Sequence, residues 1–365
     1  MTRIEKQYVD CPYTGSKDYT FWKRSIAEPK LSEINPMAKV AFPLLKEDVI
    51  ASAGSCFAQH ISRYLSQNGY RFLTTEKPHR FVDSNLSKEF NYGVYPARFG
   101  NIYTSRQLLQ TIQRAYGHFV PGIESIKSGD RVLDPFRPFI QPSGFFDEKE
   151  MELDRKAHLS AVRKMFENLD VFIFTLGLTE CWENIDDGSI LPICPGCGAG
   201  EFNSEKYKFK NLSASEVVED LTEFLVLLRE VNPTSKVIFT VSPVPLIATG
   251  EDEHVLSATV YSKSVLRVAA EEIKAKFDYV DYFPSYELIT SNASRGQYYD
   301  KDLRSVLEVG VNHVMRCFFK SYMNLDLSDS PIRIEEEPES HLEFNQLNQM
   351  IMDVVCEEEL LEELE

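Results

Sequence analysis

Short apolar runs alternate with amphipathic segments along the chain. The runs lie at 48–53, 170–177, 236–242 and 279–283. The run at 170–177 is apolar on both faces, which is typical of a strand covered on both sides of a parallel sheet. Apolar residues at helical spacing predict helices at about 56–68, 104–116, 148–168, 213–230, 259–276 and 307–322. This alternation predicts an α/β fold, a three-layer α/β/α sandwich with a mostly parallel sheet.

Three segments divide the 365 residues. Residues 1–46 carry aromatic side chains among prolines, which favours an arm packed on the domain over a linker. Residues 47–325 form the α/β domain, and Gly188–Gly200 is expected to be a loop within it. Residues 326–365 form an acidic tail, in which the apolar positions of 341–364 fall near one helical face. The tail is either an amphipathic helix that docks on the domain or on a protein partner, or mostly disordered.

Charge and composition exclude several classes of partner. Lys and Arg number 39 against 56 Asp and Glu, a net charge of −17, and residues 331–365 hold 12 of these acids with one base. This balance argues against nucleic acid and anionic membrane surfaces as partners. No run approaches the roughly 18 apolar residues of a membrane span, and the N-terminus lacks the core of a signal peptide. Seven cysteines, an odd number, fit reduced thiols in a cytoplasmic protein.

The first strand ends in Gly54-Ser55-Cys56, where a helix is predicted to begin. Helix-start N–H groups point at the rim of the sheet there, and a thiol at such a position is a better nucleophile. His60 lies one turn further along the same helix face. The alternative interpretation is an N-cap serine beside a small buried cysteine.

These residues, with other phrases along the chain, resemble the GSCFA family, which is grouped with the SGNH (GDSL-like) esterases and acyltransferases. Gly54-Ser55-Cys56-Phe57-Ala58 is the name-giving motif of that family. The other matching phrases begin at Arg98, Thr175, Thr240, Tyr261 and Tyr282, and together they cover about residues 45–320. The resemblance implies the sandwich fold and acyl transfer through a nucleophile, a base and an oxyanion hole.

Carried onto this chain, the resemblance implies Cys56 as the nucleophile, with Ser55 kept as the alternative. The implied oxyanion and substrate-binding set is Gly54, Gly100, Asn101, Gly177, Thr179, Arg98 and Ser242. Arg98 would hold an anionic substrate group or simply pair with a carboxylate. Lys263 and Arg267, one turn apart, are expected to form an exposed helix face.

The chain departs from the superfamily pattern at the position of the catalytic base. Asp302 lies where an Asp-x-x-His block is expected, but the histidine position holds Ser305. The candidate bases are, in order, His254, His313 and His60, with Glu180 or Asp302 as the residue that orients the base.

Cys194 and Cys197 have the spacing of zinc ligands, but only Cys181 lies near them in sequence. A plain turn is therefore favoured over a metal site. The chain has no Gly-x-Gly-x-x-Gly or Walker loop, so nucleotide cofactors lack support. No cofactor is expected to be required, and acyl-coenzyme A is a candidate donor substrate.

The leading hypothesis is an SGNH-like esterase or O-acyltransferase acting on a carbohydrate or another hydroxyl-bearing small molecule. A cytoplasmic location would suit a transferase that modifies a polysaccharide precursor. The alternative is a non-catalytic ligand-binding protein on the same scaffold that has lost its base. A weaker option is a redox role for Cys56 or for the Cys194/Cys197 pair.

Overall fold

The computed structural model describes residues 11–325 with the exception of residues 56, 124 and 199. The ten strands of this part are β1 Val49–Gly54, β2 Arg71–Phe72, β3 Ile126–Ser128, β4 Arg131–Leu133, β5 Val171–Leu176, β6 Glu180–Asn184, β7 Ile190–Leu191, β8 Tyr207–Asn211, β9 Lys236–Val241 and β10 Val280–Tyr282. Its eight α-helices are α1 Phe57–Gln67, α2 Ser84–Glu89, α3 Ser105–Tyr116, α4 Glu148–Asn168, α5 Ala214–Val231, α6 Val255–Lys276, α7 Ser285–Thr290 and α8 Glu308–Met323. Three short helical turns lie within 18–33.

Five of the strands form one parallel sheet in the order β10-β9-β5-β1-β2. The chain builds outward from β1 in one direction with β2 and then in the other with β5, β9 and β10. This is the flavodoxin-like strand order, and in such sheets ligands bind outside the carboxyl ends of the strands where the order reverses. That point lies between β1 and β5, which are paired from Ile50 with Val171 to Gly54 with Thr175.

The sheet is covered by helices on both faces, as the apolar run at 170–177 predicts. All six residues of β5 are buried. Phe172 and Phe174 pack in the cluster made with α3, α4, α5 and α6, while Val171 and Ile173 pack in the cluster made with α1, α7 and α8. This alternation is the two-residue period of a strand buried on both faces. The protein is therefore a three-layer α/β/α sandwich.

The polypeptide before β1 packs on the α8 face of the sheet. Ile34, Phe42 and Leu44 are buried in the same cluster as α8. The Leu44 N–H donates to the carbonyl oxygen of Tyr322 at 2.9 Å. Residues 1–10 and the tail 326–365, with its predicted amphipathic helix, lie outside the described residues.

An insertion after β5 forms a second, antiparallel sheet of order β7-β6-β8. Part of this sheet falls where a loop was expected at Gly188–Gly200, because β7 contributes two residues within that range. Ile190 and Leu191 pair with Glu183 and Trp182 of β6. Two residues are too few for hydrophobic alternation to show in the sequence, so β7 was missed. The same reason applies to β3 and β4, which form a short hairpin.

Candidate active site at the carboxyl edge of the sheet

Gly54 turns the chain from β1 toward α1. Its φ is +139°, and a Cβ built there would lie 2.5 Å from the carbonyl oxygen of Thr175 on the neighbouring strand. Only glycine satisfies both the dihedral angle and this close approach. The turn places Ser55 at the edge of the sheet between β1 and β5. Cys56, the favoured nucleophile of the sequence prediction, lies outside the described residues.

Ser55 has a buried hydroxyl without a hydrogen-bond partner among the described residues. A buried hydroxyl that makes no hydrogen bond loses the solvation it would have in water, so such groups are uncommon away from functional sites. The Ser55 carbonyl oxygen accepts from the Ala58 N–H at 2.8 Å, at the start of α1. The backbone of Ser55 therefore takes part in the start of α1, while its hydroxyl remains available to a bound group.

Ser55 lines a small recess at the carboxyl ends of β1, β5 and β9. The recess lining is Ser55, Tyr103, Gly177, Leu178, Ser242, Val244, Pro245, Leu246, Lys263 and Arg304. Among these described residues there are two cationic side chains and no carboxylate, although the chain as a whole carries a net charge of −17. Such a recess suits negative charge that develops on a bound group.

Lys263 belongs to this recess and not to an exposed helix face, which corrects the sequence expectation. The side chain is buried, and its Nζ donates to the carbonyl oxygen of Gly177 at 2.6 Å. The helical spacing contained the signal: Lys263 is three residues before Leu266 and seven before Ala270, both fully buried on α6. Arg267, by contrast, pairs with Glu271 and Glu287 and is partly exposed.

Arg304 reaches the recess from the turn where the superfamily would place Asp-x-x-His. Asp302 accepts from the N–H groups of Arg304 and Ser305 and from the Ser305 hydroxyl. Burial alone would raise the pKa of Asp302, but the hydrogen bonds from Ser305 and Arg304 hold it below its usual value. Leu303 has a φ of +56°, which completes the turn. The carboxylate therefore shapes the turn that carries Arg304.

The loop at Gly100–Tyr103 is fastened to the ends of β1 and β5. The Ile102 N–H donates to the Gly54 carbonyl oxygen, and the Tyr103 carbonyl oxygen accepts from the N–H groups of Gly177 and Leu178. Asn101 is buried, and its side-chain oxygen accepts from the Tyr95 hydroxyl at 2.9 Å. Gly100 has a φ of +74°. These bonds hold the loop with Gly100 and Asn101 beside the recess and commit the Gly177 N–H to Tyr103.

Thr179 and Glu180 stand next to the recess but are bonded into the insertion. The Thr179 hydroxyl donates to Asn211 at 2.6 Å, and its N–H donates to the Ser262 hydroxyl at 3.0 Å. Glu180 accepts from the Thr249 hydroxyl and the Gly250 N–H. The hydroxyl and the N–H of Thr179 are therefore both bonded to protein, although the sequence predicts Thr179 as an oxyanion donor. Glu180 fastens the loop that follows β9.

The three candidate histidines are not brought together. His254 is exposed at the start of α6, where Nδ1 accepts from the Leu256 N–H. His313 is buried on α8, bonded to the Tyr298 hydroxyl and the Ile34 carbonyl oxygen. Burial, with the nearby Arg63 guanidinium, lowers the pKa of His60 to about 4. None of the three is among the described residues that line the recess.

Arg98 lies in the irregular segment just before Gly100 and is buried. Its buried guanidinium pairs with Glu76 and Asp154 and donates to the carbonyl oxygens of Phe90 and Ile140. This is the carboxylate pairing considered for it, and the placement lends no support to substrate binding. Ser242 does line the recess, and its hydroxyl accepts from the Val244 N–H at 3.3 Å.

Cys194 and Cys197 lie on the insertion as free thiols. No group of three or more His, Cys, Asp or Glu side chains is arranged to hold a metal ion in the part of the chain that the structure describes. Within the same part, no helix is long and apolar enough to cross a membrane.

The fold is that of a doubly wound α/β protein. Its candidate site lies at the carboxyl edge of the sheet, where the strand order reverses. The chain belongs to the GSCFA family, whose sequence profile matches residues 49–318. No curated protein matches it significantly. Among solved structures it is similar to an acetyl xylan esterase (Est2A) from the rumen bacterium Butyrivibrio proteoclasticus, at 14% identity and a TM-score of 0.24. That match covers 66% of this chain and 56% of the esterase chain.

Proposed function

We propose that this protein is an acyl-ester hydrolase or O-acyltransferase whose nucleophile is Ser55 or Cys56. The observation that carries the proposal is the Ser55 hydroxyl, which is buried and has no hydrogen-bond partner among the described residues, in a recess lined by Lys263 and Arg304. Acyl transfer needs a nucleophile, a group that takes its proton and a positive environment for the oxyanion. The recess offers side chains for each of these tasks.

In the first step, the hydroxyl or thiol attacks the acyl carbon, and its proton passes to Lys263, which acts as a neutral amine while Arg304 supplies the positive charge. Serine–lysine pairs perform this chemistry on unrelated folds. The carbonyl oxygen becomes anionic beside the Arg304 guanidinium and the helix-start N–H groups of α1. The tetrahedral intermediate then collapses, the leaving group takes the proton from Lys263, and an acyl-enzyme remains. In the second step, Lys263 takes the proton of water or of an acceptor hydroxyl as that oxygen attacks the acyl carbon, and returns it to the nucleophile as the acid or the new ester leaves.

Steady-state turnover of p-nitrophenyl acetate and acetyl-coenzyme A, each with and without a sugar acceptor, tests this proposal. Ser55→Ala and Cys56→Ala are compared with the wild type, and loss in one variant identifies the nucleophile. We expect one of the two variants to lose about 10³-fold or more in kcat. Equal turnover in all three proteins would refute acyl transfer through this turn.

A binding protein on the same scaffold is the second candidate. It is favoured by one observation: no histidine lies among the described residues that line the recess. Two cationic side chains without a base would hold an anionic group and do no chemistry. Absence of turnover with every donor, together with a saturable thermal stabilisation by acetate or phosphate, would support this candidate.

A further inference from the structure

A larger, mostly apolar cavity of about 300 Å³ adjoins the recess. It lies between the antiparallel sheet of the insertion and the loop after β9. Its apolar lining includes Trp182, Leu191, Ile193, Phe209, Leu246 and Ile247. Gly250 lets the loop pack directly on β8, since a Cβ there would lie 2.5 Å from the Phe209 ring.

The cavity and the recess adjoin each other. Tyr103, Leu178 and Leu246 line both. The recess itself holds only about 10 Å³, which is near the lower limit for a single water molecule. A group bound at Ser55 and larger than an atom or two must therefore extend beyond the recess, and the apolar cavity is the space that shares its wall.

Two polar side chains of the cavity wall, Glu180 and Gln107, are bonded to protein. Glu180 accepts from Thr249 and Gly250, and the Gln107 amide bonds to the Asn101 carbonyl oxygen and the Tyr103 N–H. Burial raises the pKa of the Cys194 thiol to about 12, and the neighbouring Cys197 contributes to the increase. Burial likewise raises the pKa of Cys181 to about 12. The thiols therefore stay neutral and behave as small hydrophobic groups.

We propose that this cavity binds the acyl group of the substrate, and that the substrate is an ester or thioester of an unbranched acyl chain of about six to ten carbons. The length follows to an order of magnitude from the volume: at roughly 30 Å³ per methylene, the share of a water-sized group in a liquid, a cavity of about 300 Å³ holds up to about ten carbons. The identification of the occupant rests on the proposed function, which puts the acyl carbon at the recess. The apolar wall then selects a hydrocarbon chain over a sugar.

Binding can be measured without turnover, because the chain has two tryptophans, Trp22 and Trp182. Trp182 lines the cavity, whereas Trp22 is 66% exposed on the arm. In a Trp22→Phe background, decanoate is titrated against tryptophan emission. We expect a saturable change in the wild-type cavity and at least a tenfold weaker response after Ala248→Phe, which fills the cavity from an exposed loop position.

Ala38→Phe is the matched control, because Ala38 is also exposed but lies on the arm. This substitution should leave decanoate binding unchanged. An emission that does not respond to decanoate, or an equal loss in Ala38→Phe and Ala248→Phe, would overturn the proposal.

Ester kinetics provide a second test of the proposal. Across p-nitrophenyl esters from acetate to dodecanoate, kcat/KM should rise by up to about fourfold for each methylene buried, then level off near eight carbons. Ala248→Phe should shift the optimum toward shorter acyl chains, and Ala38→Phe should leave the profile unchanged. A flat profile in the wild type would overturn the chain-length assignment. Decanoate binding without turnover of any ester would support the cavity as an acyl site and refute the proposed function.

Discussion

Lys263 donates a hydrogen bond from Nζ to the carbonyl oxygen of Gly177 over 2.6 Å, from a helix to the end of the central strand β5. Both residues line the recess that holds the Ser55 hydroxyl. A buried lysine loses much solvation, so an arrangement that keeps one beside a strand end needs a compensating interaction or a function. The contact fixes the amine at the site.

Lys263→Met should reduce kcat by about 10²–10⁴-fold, because the proton acceptor is removed while the apolar stem still fills its place. KM should change little if the amine acts mainly in the transition state. Steady-state kinetics on p-nitrophenyl esters measure both. Lys276→Met, an exposed position on the same helix, is the control. Equal kcat values for the two variants would exclude Lys263 from the chemistry.

Thr179→Val should destabilise the protein by about 1 kcal/mol, because it removes the hydrogen bond to Asn211. Its effect on kcat should stay below tenfold, since an oxyanion donor is usually worth about 10²–10³. Urea unfolding and ester kinetics on the same sample separate the two effects. A loss of 10²-fold or more in kcat with unchanged stability would restore Thr179 as an oxyanion donor.

Gly54→Ala should cost roughly 3–5 kcal/mol, because it combines an unfavourable φ with overlap on the Thr175 carbonyl. Gly69→Ala is the matched control. Its φ is also positive, at +75°, but nothing lies within 4 Å of the added Cβ. That substitution should cost about 1–2 kcal/mol. Chemical denaturation compares the two, and similar costs would mean that the close approach at Gly54 is relieved by a small backbone shift.

Acid should weaken the fold through His158. Burial, with the nearby Arg137 guanidinium, lowers the pKa of His158 to about 4, and the neutral ring bonds to Glu76 at 2.8 Å. The unfolded chain therefore binds more protons between pH 6.5 and about 4, so stability is present above that window and falls as the pH is lowered through it. The loss from this one residue is about 3 kcal/mol.

The measurement is the free energy of unfolding at pH 7, 5.5 and 4.5. His158→Asn, which keeps a donor toward Glu76, should have a shallower pH dependence than the wild type. His118→Asn, at an exposed position, should not. A wild-type slope retained in His158→Asn would assign the acid sensitivity to other groups, such as His60.

The sequence predicts the central layers because burial on two faces leaves a strong pattern. The run at 170–177 and the helices at 148–168 and 213–230 match β5, α4 and α5. The hydrophobic pattern of the insertion is weaker, because its strands are short and irregular. Its second sheet, which forms one wall of the apolar cavity, was missed for this reason.

The site is predicted only in part. The turn at Gly54 follows from a glycine after a buried strand. Lys263 was assigned to a surface, although its spacing from Leu266 and Ala270 places it on the buried stripe of α6. Arg304 lies in the block that the resemblance places at the site, but its contact with the recess depends on the Asp302 turn and a positive φ at Leu303 that only the folded chain reveals.

The most direct test of the central claim is to trap the acyl-enzyme. Wild type, Ser55→Ala and Cys56→Ala are mixed with p-nitrophenyl octanoate, quenched in acid, and examined by intact mass spectrometry and peptide mapping. We expect one octanoyl group on the peptide that contains Ser55 and Cys56, lost in one of the two variants and retained in the other. Octanoyl groups spread over surface lysines, in equal amounts in all three proteins, would contradict acyl transfer at this turn.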